Sequence, residues 1–253
     1  MILADVQSDA SQLVGLFACV AALLIFAEYT AEYPSVIEFR NAPPFNRIRF
    51  MALFATVILL TLMARATMHP TAALMSLAQT GSMIGEAMDF PFSPVRLMVL
   101  VAPADVSAQH LDLIRGMAGV AYLISLVTLV LFVIVVRLLD WPIRRGAFNF
   151  WVNLPLFDPT TGGDVLYRLK RDSHINVALG FLMPFFLPAA LKISGNWGAV
   201  PNLSDYQPLI WTMIAWSFLP ASLIMRGVAL MRIADLIEEK RRRAYAQAEL
   251  QLA

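Results

Sequence analysis

A single cysteine, Cys19, stands among 253 residues, so the chain can form no intrachain disulfide, zinc–thiolate cluster or iron–sulfur centre. Cys19 lies in an apolar run, where a thiol behaves as a small hydrophobe. Charge is also scarce. Asp, Glu, Lys and Arg make up 15% of the residues, against about 25% in soluble domains. The net charge of +1 lacks the basic footprint of a general nucleic-acid binder. No P-loop, GxSxG elbow, HExxH, CxxC or GxGxxG opening a helix occurs, and Gly162-Gly163 reads as a turn. No catalytic residue is assigned.

Histidine is too sparse for a bundle haem, which takes ligands facing each other across the core. Of His69, His110 and His174, the first two fall on one side of the expected membrane and the third on the other. Met68, Met75, Met83 and Met88 lie near His69, and thioether with imidazole suits soft copper. Methionine at helical spacing more commonly packs a core, and no metal or cofactor site is assigned.

What the chain does have is apolar length: 59% of it is hydrophobic. Five stretches approach or exceed the roughly 20 residues needed to cross hydrocarbon: Ser11–Glu28, Phe50–Thr67, Gly116–Leu139, Ile175–Ile193 and Pro208–Leu230. None carries an ionisable residue in its central turns. The leader MILADVQSDASQ has two aspartates and no basic residue, unlike a secretory signal, so the first stretch reads as a retained helix with a translocated N-terminus. Of the 19 lysines and arginines, that orientation places 15 on the cytoplasmic side. It leaves Arg65, Arg96, Arg115 and Lys192 outside, as the positive-inside rule requires. The expected fold is an all-α integral membrane protein of about five transmembrane helices, N-terminus outside and C-terminus cytoplasmic. The expected location is the inner membrane of a bacterium.

Between the spans, EYPSVIEFRNAPPFNRIRF carries Pro34, Pro43 and Pro44 and reads as a stiff extended connector, or a docking surface. The outer segment 68–115 reads as an interfacial lid. It holds a helix over Thr71–Met88 with Gly81 and Gly85 at small-xxx-small spacing. A piece too short to span, PVRLMVLVAP, follows as an interfacial or re-entrant element or a surface buried against a partner, and then a helix capped by Asp105 that runs toward the third span. The cytoplasmic loop 140–173 mixes Trp141 and Trp151 with Arg144 and Arg145, a composition suited to lipid headgroups. It ends in a basic amphipathic helix over Asp164–Ser173. After Arg226 the last helix continues into a tail, 231–253. Ile233, Leu236, Ile237, Ala244 and Ala248 share a face there, and Lys240, Arg241, Arg242 and Arg243 suit an anionic surface.

Prolines mark the fourth and fifth spans. Pro184 and Pro188 sit in GFLMPFFLPAALK, with Pro184 about 14 Å from the inner end at 1.5 Å per residue; Pro220 falls at similar depth. Each proline removes a donor from the carbonyl four residues back, which frees those of Gly180, Pro184 and Trp216. Asn176, Thr212 and Ser217 are candidate replacements. Gly180, Pro184, Pro188, Trp216 and Pro220 thus form a candidate kink and packing site. The role expected of this chain is a non-enzymatic integral subunit, scaffold or assembly factor of a larger membrane complex, in contact with lipids and other integral membrane proteins. The alternative is a small transporter or channel component working through Pro184 and Pro220, against which stand the lack of a central carboxylate and of an internal repeat.

Overall fold

The computed structural model describes residues 8–103, 105–139, 141–142, 148–157, 164–195 and 202–252. Among them all regular structure is helical: α1 (Ser8–Thr30), α2 (Phe45–Met68), α3 (Ala72–Met88), α4 (Pro94–Val99), α5 (Ala108–Leu138), α6 (Phe150–Asn153), α7 (Val165–Gly195) and α8 (Tyr206–Leu252). Four of them, α2, α5, α7 and α8, are long and apolar enough to cross a membrane. The fifth expected crossing falls in α1, whose stretch Val14–Thr30 is a shorter apolar helix. Large apolar side chains face outward along α1, α5 and α7, among them Phe17, Phe26, Val130, Leu131, Phe181 and Phe186. A soluble monomer does not expose apolar surface on this scale.

Within hydrocarbon, burying leucine against leucine supplies little drive. Helices associate instead where small residues let backbones approach, and glycine does this at two seams. In the first, α3 crosses α5. A Cβ on Gly85 would lie 2.6 Å from the Arg115 carbonyl oxygen, and one on Gly119 2.6 Å from the Gly85 Cα. In the second, α7 runs antiparallel to α8. A Cβ on Gly180 would lie 2.6 Å from the Pro220 carbonyl oxygen, and one on Gly227 2.8 Å from that of Ser173. Ser173 Oγ closes this seam by donating to the Gly227 carbonyl at 2.7 Å.

Buried side chains gather into two cores, one at each end of the bundle. At the His110 end, Leu60, Met63, Met98, Ile114, Met117, Leu203 and Met213 pack together. Within the segment 68–115, expected as an interfacial lid, the short apolar piece is part of this core. α4 is no surface element: Val95 and Met98 are fully buried in this core, and Ser93 caps the helix by accepting from the Arg96 N–H at 2.9 Å. The cap of α5 is Ser107, which accepts from the His110 N–H at 3.2 Å, and not Asp105. The first turn of α5 runs without a break into the expected third span.

At the Trp141 end, Phe39, Phe45, Phe132 and Trp141 form a ring cluster, with Phe45 and Phe132 centroids 5.3 Å apart in edge-to-face contact. Trp141 therefore does not meet lipid headgroups. It is 3% exposed, and its Nε1–H donates to the Ala42 carbonyl at 3.0 Å. The expected stiff connector is likewise part of the core. Phe39 and Ala42 are buried, and α2 starts at Phe45, a turn before the apolar run. Phe39 holds a left-handed backbone, φ 56°, unfavourable for a bulky residue. The ring cluster and a bond from its N–H to the Asn153 carbonyl at 2.7 Å hold it there.

The last helix extends into the tail as expected, but its apolar face is partly used within the chain: Ile233 and Ala234 are buried in the Trp141-end core. Lys170 pairs with Glu238 at 2.6 Å and Arg241 with Asp164 at 3.1 Å, so the tail docks on the start of α7. Beyond Lys240 the described side chains are exposed.

Candidate functional site

The two proline-bearing helices remain helical throughout, α7 through Pro184 and Pro188 and α8 through Pro220. All three prolines are buried. Pro188 denies the Pro184 carbonyl its helical donor, and the structure supplies another. Trp216 Nε1–H, from α8, donates to that oxygen at 3.0 Å. Trp216 is 1% exposed and stacks on Tyr122 of α5 with centroids 5.5 Å apart. One indole thus satisfies a freed carbonyl of α7 and joins it to α5 and α8. The donors suggested by sequence act elsewhere. Asn176 Nδ2 donates to the Asp172 carbonyl at 2.7 Å, and Ser217 Oγ to that of Met213 at 2.9 Å.

Beside this knot, α2, α5 and α8 bring hydroxyls together that no single stretch of sequence singles out. Thr56, Ser125, Thr128, Ser217 and Ser222 line a small space of about 10 Å³, together with Arg49. Four of them spend their protons on their own helices: Thr56 on Ala52 at 2.8 Å, Ser125 on Tyr122 at 2.7 Å, Thr128 on Ile124 at 2.7 Å, and Ser217 on Met213. A hydroxyl bonded back to its own helix presents only lone pairs to the space and is not an activated nucleophile. Ser222 Oγ and Arg49 Nε are buried without a hydrogen-bond partner among the described residues. The space matches one water molecule. Arg49 otherwise rests on aromatic faces, 5.4 Å from the Phe45 centroid and 5.9 Å from that of Phe218.

Two polar clasps join the chain between α1 and α2 to the rest. Glu38 receives Arg226 in a two-point ion pair, Nε at 2.6 Å and Nη2 at 2.8 Å. Glu28 accepts from the Ser35, Val36 and Ile37 N–H groups at 2.9–3.2 Å and from the Ser35 hydroxyl. Arg40 donates to the Glu28, Ala31 and Glu32 carbonyls at 2.7, 2.6 and 3.2 Å, satisfying one carbonyl in the last turn of α1 and two just beyond it. Glu28, a span-end carboxylate in the sequence, is thus committed to backbone.

At the His110 end, Arg96 and Arg115 converge on Asp89 at 3.2 and 3.0 Å. His110 Nε2 bonds the Leu203 carbonyl at 2.9 Å, so it serves a loop. No group of three His, Cys, Asp or Glu that could hold a metal occurs among the described residues. Of the expected headgroup contacts other than Trp141, Trp151 is exposed and Arg144 and Arg145 lie outside the described residues. Lys240 and Arg242 are exposed; Arg241 and Arg243 are exposed too but engage Asp164 and Glu239. Comparison with protein-family models, curated proteins and solved structures gives no match for this chain.

Proposed function

We propose that this chain is a non-enzymatic integral subunit or scaffold of a larger membrane complex in a bacterial inner membrane. It crosses the bilayer five times, with the His110 end outside and the Trp141 end and tail in the cytoplasm. The observation that carries the reading is α1. Among the described residues this helix packs against no other helix of the chain, and Leu16, Phe17, Val20, Leu23, Leu24, Ile25 and Phe26 are exposed along it. Its 23 residues span about 34 Å at 1.5 Å per residue, against a hydrocarbon thickness of about 30 Å. A helix apolar on every side and joined to its own bundle only at one end offers a contact surface to another membrane protein. The transporter alternative has less support. The proline pair is closed by Trp216, and the nearby polar space has room for one water.

Cys19, exposed on α1, gives the test. A thiol-directed photocrosslinker placed there in native membranes should yield discrete adducts with a membrane protein, absent in Cys19→Ser. A partner-free, monodisperse monomer in mild detergent, with crosslinks to lipid alone, would overturn the reading. Flux that changes in Pro184→Ala or Pro220→Ala at unchanged abundance would replace it with the transporter.

A further inference from the structure

A groove of about 820 Å³ opens at the Trp141 end, where the last turns of α5 meet α7 and α8. Its two long walls are graded in the same direction. On α7 the lining runs from Phe181 and Val177 to His174 and Ser173, and on α8 from Val228 and Met231 to Arg232 and Asp235. The helices are antiparallel, so apolar side chains sit toward the middle of the bundle on both walls and polar ones toward the Trp141 end. The seven helical steps from Phe181 to His174 cover about 10 Å at 1.5 Å per residue. That is the depth over which a bilayer changes from acyl chain to headgroup.

Charge selects the occupant. Arg137 joins Arg232 at the polar mouth, and among the described residues the only carboxylate lining the groove is Asp235, whose charge also acts on Lys170. Arg232 is oriented by its Nε–H, which donates to the Trp141 carbonyl at 3.2 Å. Arg137 has no ion pair or hydrogen bond from its side chain among the described residues, and it is exposed. Two guanidiniums above an apolar cleft match a phosphodiester above an acyl chain, because guanidinium recognises phosphate oxygens through paired, directed donors.

We propose that this groove is a binding site for one phospholipid with an anionic headgroup, its phosphate between Arg137 and Arg232 and an acyl chain along Val177, Phe181 and Val228. The inference rests on the chain being embedded in a membrane and is independent of any protein partner.

The test uses the full chain, purified in mild detergent and exchanged with phosphatidylglycerol or phosphatidylcholine, with bound lipid counted by native mass spectrometry. The expected result is one phosphatidylglycerol retained at least about fivefold better than phosphatidylcholine. Arg137→Gln should remove that preference, and Ala178→Trp, which fills the groove from α7, should lower retention of both lipids. Both positions are exposed, so circular dichroism should remain that of the parent. Glycerol phosphate should not displace the lipid; displacement would mean that the mouth binds free phosphate esters. Equal retention of the two lipids, unchanged preference in Arg137→Gln, or a protein crosslinked into the groove in native membranes would each overturn the proposal.

Discussion

Replacing Trp216 by phenylalanine removes the donor that the Pro184 carbonyl receives at 3.0 Å while keeping a ring against Tyr122. The oxygen is then a buried acceptor with no helical donor, because Pro188 occupies the position that would supply one. Leaving such a group unpaired costs about 1–3 kcal/mol. Interhelical bonds measured in membranes average about 0.6 and reach about 1.7 kcal/mol. With Trp216 1% exposed, little water can substitute, and about 1.5 kcal/mol is the expected share of the bond. The smaller ring adds about 1 kcal/mol for lost contacts, so Trp216→Phe should cost about 2.5 kcal/mol in all. Pro188→Ala provides the internal control. It returns an N–H to the helix at the one place where that proton reaches the Pro184 oxygen. In that background Trp216→Phe should cost only about 1 kcal/mol, a coupling of about 1.5 kcal/mol. The assay is a double-mutant cycle from reversible unfolding in mixed micelles, followed by circular dichroism so that the lost indole does not alter the signal. Coupling below about 0.5 kcal/mol, the level at which independent sites add, would refute the assignment of the indole as the substitute donor.

Three further outcomes follow from the same geometry. Gly85→Ala forces a methyl to within 2.6 Å of the Arg115 carbonyl and should destabilise by about 1–3 kcal/mol, whereas Gly15→Ala, with nothing within 4 Å, should be neutral in the same unfolding assay. Glu38→Ala leaves Arg226 without its partner and should cost about 1–3 kcal/mol, less than a fully buried pair because the Arg226 side chain is 29% exposed; the swap Glu38→Arg with Arg226→Glu should recover part of that loss, and no recovery would mean that the pair is not what joins these segments. Asp164 lies before α7, and its carboxyl is held below the ordinary 3.8 first by the Leu166 N–H and then by Arg241. A lowered carboxyl contributes stability that is present above its unfolded value and lost as pH falls through the folded one. Spin labels at Tyr167 and Tyr245 should therefore keep their separation down to about pH 4 and part only below it, and separation at a higher pH would remove the Asp164–Arg241 contact from the tail's docking.

The apolar runs of α2, α5, α7 and α8 are legible in sequence because a crossing needs length and apolarity, both local properties. What escapes the sequence is which distant groups meet. The freed Pro184 carbonyl follows from the position of Pro188, but its donor lies 32 residues away on another helix, and Asn176, Thr212 and Ser217 are equally eligible in sequence. Gly81 and Gly85 stand out as a small-residue pair, while Gly116 and Gly119, which answer them, hide inside an apolar run. Trp141 reads in sequence as a headgroup contact because aromatic and basic residues look the same whether they float at headgroup level or close a core. The polar space between α2, α5 and α8 draws one or two hydroxyls from each helix, none unusual in its own stretch. α1 is the reverse case: its apolarity is plain, but only the fold reveals that it packs on no neighbouring helix.

That solitary helix is fixed where it begins to depart from the bundle. Glu28 is tied to three backbone N–H groups and Arg40 to three carbonyls at the same turn, while Glu38, two residues before Arg40, is clamped to α8. Its direction is consequently set during folding of the chain itself. Association normally loses affinity to the ordering of mobile segments. On the reading proposed above, a protein seated against α1 would meet a helix held at its root, and its affinity would be spared part of that entropy. Loosening the root, at Arg40 for instance, would weaken association without altering a single residue of the contact face.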